Sequence, residues 1–510
     1  MNFAKIARRI SAAALVFVLV GVLMVAYWRG TGALPGAGTL SLYLLVLPLA
    51  LVGCYWLVRW QLGRRAARTA GAATPAGAGD GAGVGAHDGD AIAPDRMLLL
   101  LASAVLLPAG ASASDVVMAL LDPQRPPLHP TFKDDAGLPV FAAPVEGIDA
   151  DAAAQALREH PALDPDHFEQ DFGEAQVRAL TLLEPVADEL LYAALPVALA
   201  EVDAYAPPPA AAPASVLRVQ LLLPATWPAP ARQAAADWLL AKATAAGYGD
   251  GHVAVQALPV ASAADVWRLL DQLGHLAARE PCGDRHLLLS AHSQLDEAAI
   301  EALAQQPRGL LGSGRPEGAV AGEGAAGVLL AGPSPSRAAQ EANFDLTAPL
   351  RLHRMSRAQA LVGVPSRRVS QHANELLSRA LATAAQPADA IAAVLSDGDH
   401  RPSRAVELAG AMSLALPDLD PIQHGLHLGL VCGDLGAVAP LALLAIAAAQ
   451  AELTAAPVIA ISVADDALRV ALAVSPMPVP VPLDGVADAA GAAKPSTSPN
   501  APARALAQPA

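Results

Sequence analysis

Apolar residues run without interruption in two places near the start of the chain. Ala12–Trp28 (AAALVFVLVGVLMVAYW) and Leu40–Val58 (LSLYLLVLPLALVGCYWLV) contain no charge. Each matches the ~20 residues that cross a hydrocarbon core, so two transmembrane helices are predicted. Pro48 is tolerated in a lipid-embedded helix. Tyr27, Trp28, Tyr55, Trp56 and Trp60 fall at or near the span ends, where amphipathic rings favour the interface. The first run exceeds a signal-peptide core and no clear cleavage site follows it, so it is read as a retained span. A third apolar run, Met97–Leu107, is about half a span long and reads as a buried strand.

From residue 216 onward the pattern alternates between short apolar runs and helical periodicity. Strands are predicted at Val216–Leu223, Val253–Leu258, His286–Ser290 and Gly324–Ala331. Helices are predicted at Ala231–Ala246, Ala264–Ala278 and Asp296–Gln305. A second, similar series follows: strand Arg351–His353, helix Gln371–Ala385, strand Ile391–Leu395, helix Arg404–Leu416. It continues with strand Leu426–Cys432, helix Leu435–Gln450, and paired strands Pro457–Val463 and Ala467–Val474. Such alternation predicts a layered α/β/α domain.

Punctuation sets the expected organisation. Residues 1–65 hold the two spans, and 66–95, rich in Gly and Ala, form a linker. Residues 96–205 form an N-terminal α/β region, read either as the start of the main domain or as a small separate one. Pro-rich Ala206–Pro213 separates it from the main α/β region, 206–475. The Pro/Ala-rich tail 476–510 lacks the apolar content of a packed core.

Charge adds orientation. Lys5, Arg8 and Arg9 precede the first span, and Arg59, Arg64, Arg65 and Arg68 follow the second. Residues 30–39 between them carry no Lys or Arg. Basic residues stay on the cytoplasmic side. The expectation is a bacterial inner-membrane protein with both termini in the cytoplasm, its first partner being the lipid bilayer. The formal net charge of −15 argues against a nucleic-acid partner. Cys54, Cys282 and Cys432 lack metal-ligand spacing and are too few for a disulfide framework. No cofactor or metal is expected.

Two stretches carry a family resemblance. One is HLLLSAHSQLDEAAIEAL (His286–Leu303) followed by RPEGAVAGEGAAGVLLA (Arg315–Ala331). The other is VCGDLGAVAPLALLAIAAA (Val431–Ala449). In this order they resemble the thiolase fold of β-ketoacyl synthases over roughly Val216–Val474. The glycines have a reason independent of family: Gly322 and Gly324 flank Glu323 at a tight turn, and Gly433 and Gly436 flank Asp434 at a helix start.

The resemblance implies a cysteine nucleophile shortly before the helix Ala264–Ala278. Gln256–Asp265 contains none, and Ser262, the nearest hydroxyl, reads as a helix cap. A first histidine is implied near Ser396–His400, and a second after Gly433, where Asp434 stands. The vestigial-site positions are therefore Asp397, His400, Cys432 and Asp434, with no catalytic residue among them. Cys432, ending an apolar run, reads as an inert buried thiol. Asp397, Asp399 and His400, and the pair His424 and His427, read as turn, cap and strand-edge groups rather than metal ligands.

The order of parts (hairpin, linker, degenerate thiolase-like domain) also resembles accessory proteins of type VI secretion, in particular the lipase adapter proteins. That resemblance implies a non-catalytic adapter with a secretion component or effector as its protein partner. The thiolase-like resemblance also implies a possible homodimer. The alternative is a divergent membrane-associated enzyme, β-ketoacyl synthase-like or acyl-binding, with Cys432 or Ser262 as nucleophile.

Overall fold

The computed structural model describes residues 97–477 apart from 135, 169–171, 196–215, 250, 280–283, 313 and 334–348. Both expected spans, the linker and residues 478–510 of the tail lie outside the described residues, as do Cys54 and Cys282, whereas Pro476 closes the last strand.

The described chain begins with β1 (Leu98–Leu106), α1 (Ala113–Leu121), β2 (Leu128–Lys133), β3 (Pro139–Ala143), α2 (Ala150–Arg158) and α3 (Glu174–Ala193). The first alternating series follows: β4 (Leu217–Pro224), α4 (Ala229–Ala245), β5 (Val253–Val260), α5 (Ala263–Arg279), β6 (Arg285–Ser293), α6 (Glu297–Gln305) and β7 (Ala321–Ala331). The second begins with β8 (Leu350–Leu352), β9 (Ser356–Gln359), α7 (Ser366–Ala384), β10 (Val394–Ser396) and α8 (Pro402–Ala415). It ends with α9 (Pro421–His424), β11 (Gly425–His427), α10 (Leu428–Cys432), α11 (Ala439–Thr454), β12 (Val458–Ser462) and β13 (Leu468–Pro476).

Ten strands run in one hydrogen-bonded order, β11-β10-β12-β13-β8-β1-β7-β6-β4-β5. The order is a duplication. Numbering five strands of each half in sequence, β1, β4, β5, β6, β7 and β8, β10, β11, β12, β13 both stand as 3-2-4-5-1. In each half the second, third and fourth strands are parallel, and the fifth is antiparallel to its neighbours. The halves meet where β1 pairs antiparallel with β8, Leu98 opposite Leu352. Residues 98–106 therefore belong to the same sheet as the two series.

Four apolar clusters are formed among the described residues, the smallest joining β3, α6 and the start of β7. One joins α2, α3 and α4 to β1, β4, β6 and β7. Another joins α7 and α8 to β10, β12 and β13. The largest joins α1, α5 and α11 to strands of both halves. α11 (APLALLAIAAAQAELT) is apolar around its whole circumference because it touches both halves and α1. With the turn before it, Gly436–Thr454 is long and apolar enough to cross a membrane, but it is a mostly buried core helix. β7 (AGEGAAGVLLA) is buried along its whole length. Its small residues are required: a Cβ on Gly327 would lie 2.5 Å from Leu190 of α3.

Two readings are corrected. Gly322, Glu323 and Gly324 are not at a tight turn but inside β7, without a left-handed φ, and their small size serves close packing. Leu426–Cys432 is not a single strand: β11 stops at His427, and Leu428–Cys432 turns into the short helix α10. A brief apolar run satisfies either pattern, and here the turn at Gly433, with φ +66°, ends the helix and directs the chain back toward α11.

Candidate functional site

The parallel strands β4, β5 and β6 of one half, and β10, β11 and β12 of the other, direct their C-terminal ends to one open cavity of about 730 Å³. Ligands of open α/β sheets bind outside such strand ends. Its wall includes Thr226 after β4, Ser262 after β5, His292 and Gln294 at the end of β6, and Arg308 after α6. The other half supplies Asp397, Asp399 and Arg401 after β10, Asp434 before α11, and Asp465 and Asp466 after β12.

Each carboxylate of the floor is held by the fold. Asp397 accepts the Val463 and Ala464 amides, at 2.6 and 3.0 Å, and the Ser462 hydroxyl. Burial pushes its carboxyl above the ordinary range, against the pull of those three hydrogen bonds. Asp399 accepts Arg401 Nε at 2.8 Å on both oxygens. Burial opposes its ionisation, but the Arg401 hydrogen bond and charge outweigh it and hold the carboxyl below the ordinary range. Asp434 pairs with Arg308 and accepts the Gly436 amide at 3.0 Å. Its own amide donates to Val320 O at 2.9 Å, which ties this loop to the residue before β7. Beyond the floor, Asp466 pairs with Arg404, and Asp465 caps the Ala467 and Leu468 amides.

Ser262 stands just before α5, and its hydroxyl accepts the Ala264 amide at 3.2 Å. That is the cap expected from the sequence, now located on the cavity wall. His292 has its pKa lowered by burial, with Asp434 and Glu323 pulling the other way. An imidazole below its ordinary value of 6.5 is neutral at pH 7.

Of the four vestigial-site positions, the structure brings Asp397 and Asp434 together on the cavity wall and leaves two outside it. His400 Nε2 lies 2.9 Å from Gly318 O, turned to the Pro316–Gly318 loop. Cys432 is fully buried, is absent from the cavity wall, and has its thiol pushed up to about 12 by burial. The expectation of a buried thiol is met. His424 Nδ1 lies 3.2 Å from Asp420 O in its own turn, and His427 sits on β11 with its pKa lowered by burial. Among the described residues no group of three His, Cys, Asp or Glu side chains is arranged to hold a metal ion.

The two glutamates of the Arg315–Ala331 stretch are structural. Glu317 accepts the Ser403 amide and hydroxyl at the start of α8. Glu323 is buried against Arg178. His292 and Arg308 were not anticipated as site residues. His292 is placed by its pairing with Gly324 of β7, and Arg308 by Asp434, 126 positions away, so neither is marked by its local sequence.

No family model matches the chain, and no curated protein matches it. Solved structures do. The ishigamide ketosynthase/chain length factor is similar at 16% identity and TM-score 0.45, over 75% of this chain and 100% of that one. A β-ketoacyl synthase from Burkholderia phymatum STM815 is similar at 15% identity and TM-score 0.48, over 75% of this chain and 100% of that one. The module 1 ketosynthase of the bacillaene synthase from Bacillus amyloliquefaciens FZB42 is similar at 12% identity and TM-score 0.49, over 76% of this chain and 74% of that one. The duplicated strand order above rests on the chain's own hydrogen bonds.

Proposed function

We propose that this chain is a non-catalytic binding protein: a thiolase-like scaffold, anchored in the bacterial inner membrane by the runs 12–28 and 40–58, that holds a protein partner. One observation carries the reading. The strand ends converge on a cavity whose wall, among the described residues, holds no thiol, and whose floor carboxylates are engaged by the protein itself. Acyl transfer through a thioester needs a thiolate with access to substrate. Cys432, buried and shifted to about 12, offers neither ionisation nor access. The order of parts along the chain supports an adapter role, with an effector or component of type VI secretion as partner.

The test is an acyl-pantetheine analogue bearing a thiol-reactive warhead, applied at neutral pH. The expected result is no adduct on Cys432 of the native protein. A stoichiometric adduct at Cys432, located by mass spectrometry, would overturn the reading.

A second reading has one observation in its favour. Ser262 opens a long helix, and Ser262 and His292 line the same cavity. A divergent acyl-binding enzyme would use that hydroxyl as nucleophile and the neutral imidazole as base. A serine-reactive fluorophosphonate that labels Ser262 would favour this enzyme over the adapter.

A further inference from the structure

The outer face of α7 breaks a local electrostatic rule. The helix opens at Ser366 behind Pro365, which offers no side-chain cap, and its first turn holds no acidic residue. Arg367 and Arg368 stand in that turn instead. The positive end of a helix dipole favours carboxylates there and disfavours cations. Arg367, Arg368 and Arg379 are exposed, and no carboxylate pairs with them among the described residues. Arg379 Nε reaches Glu375 O, a backbone atom, at 3.3 Å. Glu375, the one acidic residue of α7, has its carboxylate 4.0 Å from His372. The face is basic in a chain of net charge −15.

α8 adjoins this face. Ser370, one turn past Arg367, donates its hydroxyl to Val406 O at 3.1 Å, and a Cβ on Gly410 would lie 2.5 Å from Ser370 Oγ. Both helices cover the same side of β10, β12 and β13, so their outward faces form one surface. α8 adds no free charge to it. Its two charged residues, Arg404 and Glu407, pair with each other, and the buried Glu407 pairs with Arg469 as well. From Ala405 onward its exposed positions are Ala405, Val406, Ala409, Ser413 and Leu414, with Val406 52% and Leu414 57% exposed. An apolar strip bordered by arginines has the composition of a protein interface. A local rule broken without compensation inside the fold marks a functional surface.

We propose that the outer faces of α7 and α8 dock an acidic, amphipathic segment of the protein partner. Its carboxylates would meet Arg367, Arg368 and Arg379, and its apolar side chains Val406 and Leu414. Charge complementarity selects the acidic class. A lipid contact is disfavoured, because neither helix carries the Trp or Phe of an interfacial helix. The inference rests on the adapter reading above and gives it a surface apart from the cavity.

The test is fluorescence anisotropy on the full chain in detergent with two labelled helical peptides. One carries glutamates four residues apart beside a leucine stripe, and the other has glutamine in their place. The glutamate peptide is expected to bind about tenfold tighter at low salt and to lose that advantage as salt is raised. Arg367→Glu/Arg368→Glu is expected to abolish the preference with thermal unfolding unchanged or raised, since glutamate suits a first turn. Val406→Ser/Leu414→Ser is expected to weaken both peptides alike. Equal binding of the two peptides, or a preference that survives the charge reversal, would overturn the inference and leave the adapter reading to the Cys432 test. If added phosphatidylglycerol, and not the glutamate peptide, slows hydrogen exchange in the first turn of α7, the surface is a lipid contact and the inference falls.

Discussion

Arg178 of α3 and Glu323 of β7 form a two-pronged pair, with Nε 2.9 Å from one carboxylate oxygen and Nη2 2.6 Å from the other. Glu323 is wholly buried and its remaining capacity is also used. It accepts Ser293 Oγ at 2.8 Å and the Val145 amide at 2.9 Å. One carboxylate thus joins α3, the end of β6 and the segment after β3. Removing one partner of a buried ion pair leaves a charge without a counter-ion, which costs about 3–5 kcal/mol. Glu323→Ala is therefore expected to lower stability by about that amount, read as a lower urea midpoint at unchanged slope.

Packing around the cavity gives a second expectation. A Cβ added to Gly322 would lie 2.5 Å from Cys432 O and 2.9 Å from Asp434 O. Both are backbone atoms and cannot swing aside. Gly322→Ala is expected to cost about 1–3 kcal/mol, as overpacking does, and to displace the Asp434 loop. Thermal unfolding gives the first quantity. The second is read from faster hydrogen exchange of the Asp434 amide, which is bonded to Val320 O.

How much of this was legible in the sequence depended on how local the determinants are. α5 was predicted at Ala264–Ala278 and occurs at Ala263–Arg279, because its period and its Ser262 cap are local signals. The long apolar helix α11 was legible for its length, although its burial on all sides is decided by strands from both halves. The second alternating series was visible, but the identical strand order of the halves was not, because pairing order is a long-range property. Asp434 could be singled out from the glycines beside it. Arg308, its partner 126 positions away, could not. The Leu426–Cys432 run failed as a strand because seven residues are too few for periodicity to choose.

Histidine burial sets the pH response. His292 and His427 have pKa values lowered by burial, as do His286, His353 and His400. In the unfolded chain each returns to about 6.5. Below that value the unfolded state binds more protons than the native one, so stability falls as pH drops. It is fully present above about 6.5 and is lost progressively toward the lowered native values. The melting temperature is expected to decrease from pH 7.5 to 5.5, and His427→Phe is expected to flatten that decrease. A melting temperature that rises on acidification over this range would contradict the assignment.

The last expectation separates the two thiol positions that the fold offers. Cys432 is fully buried, with its thiol at about 12, and is expected to resist iodoacetamide at pH 8 until the protein is unfolded in urea. Ser262 lies on the cavity wall at the N-terminus of the seventeen-residue α5, where helix amides favour a developing negative charge. Five cavity carboxylates, Asp397, Asp399, Asp434, Asp465 and Asp466, oppose that effect, and Arg308 and Arg401 offset part of them. Access therefore decides the comparison more than acidity does. Ser262→Cys is expected to be alkylated in the native protein at pH 8 under conditions where Cys432 is untouched, with mass spectrometry locating the adduct. An unreactive Ser262→Cys in a folded protein would mean that the cavity is closed to solutes of that size, which would remove the enzyme reading along with any role for the cavity in holding a partner.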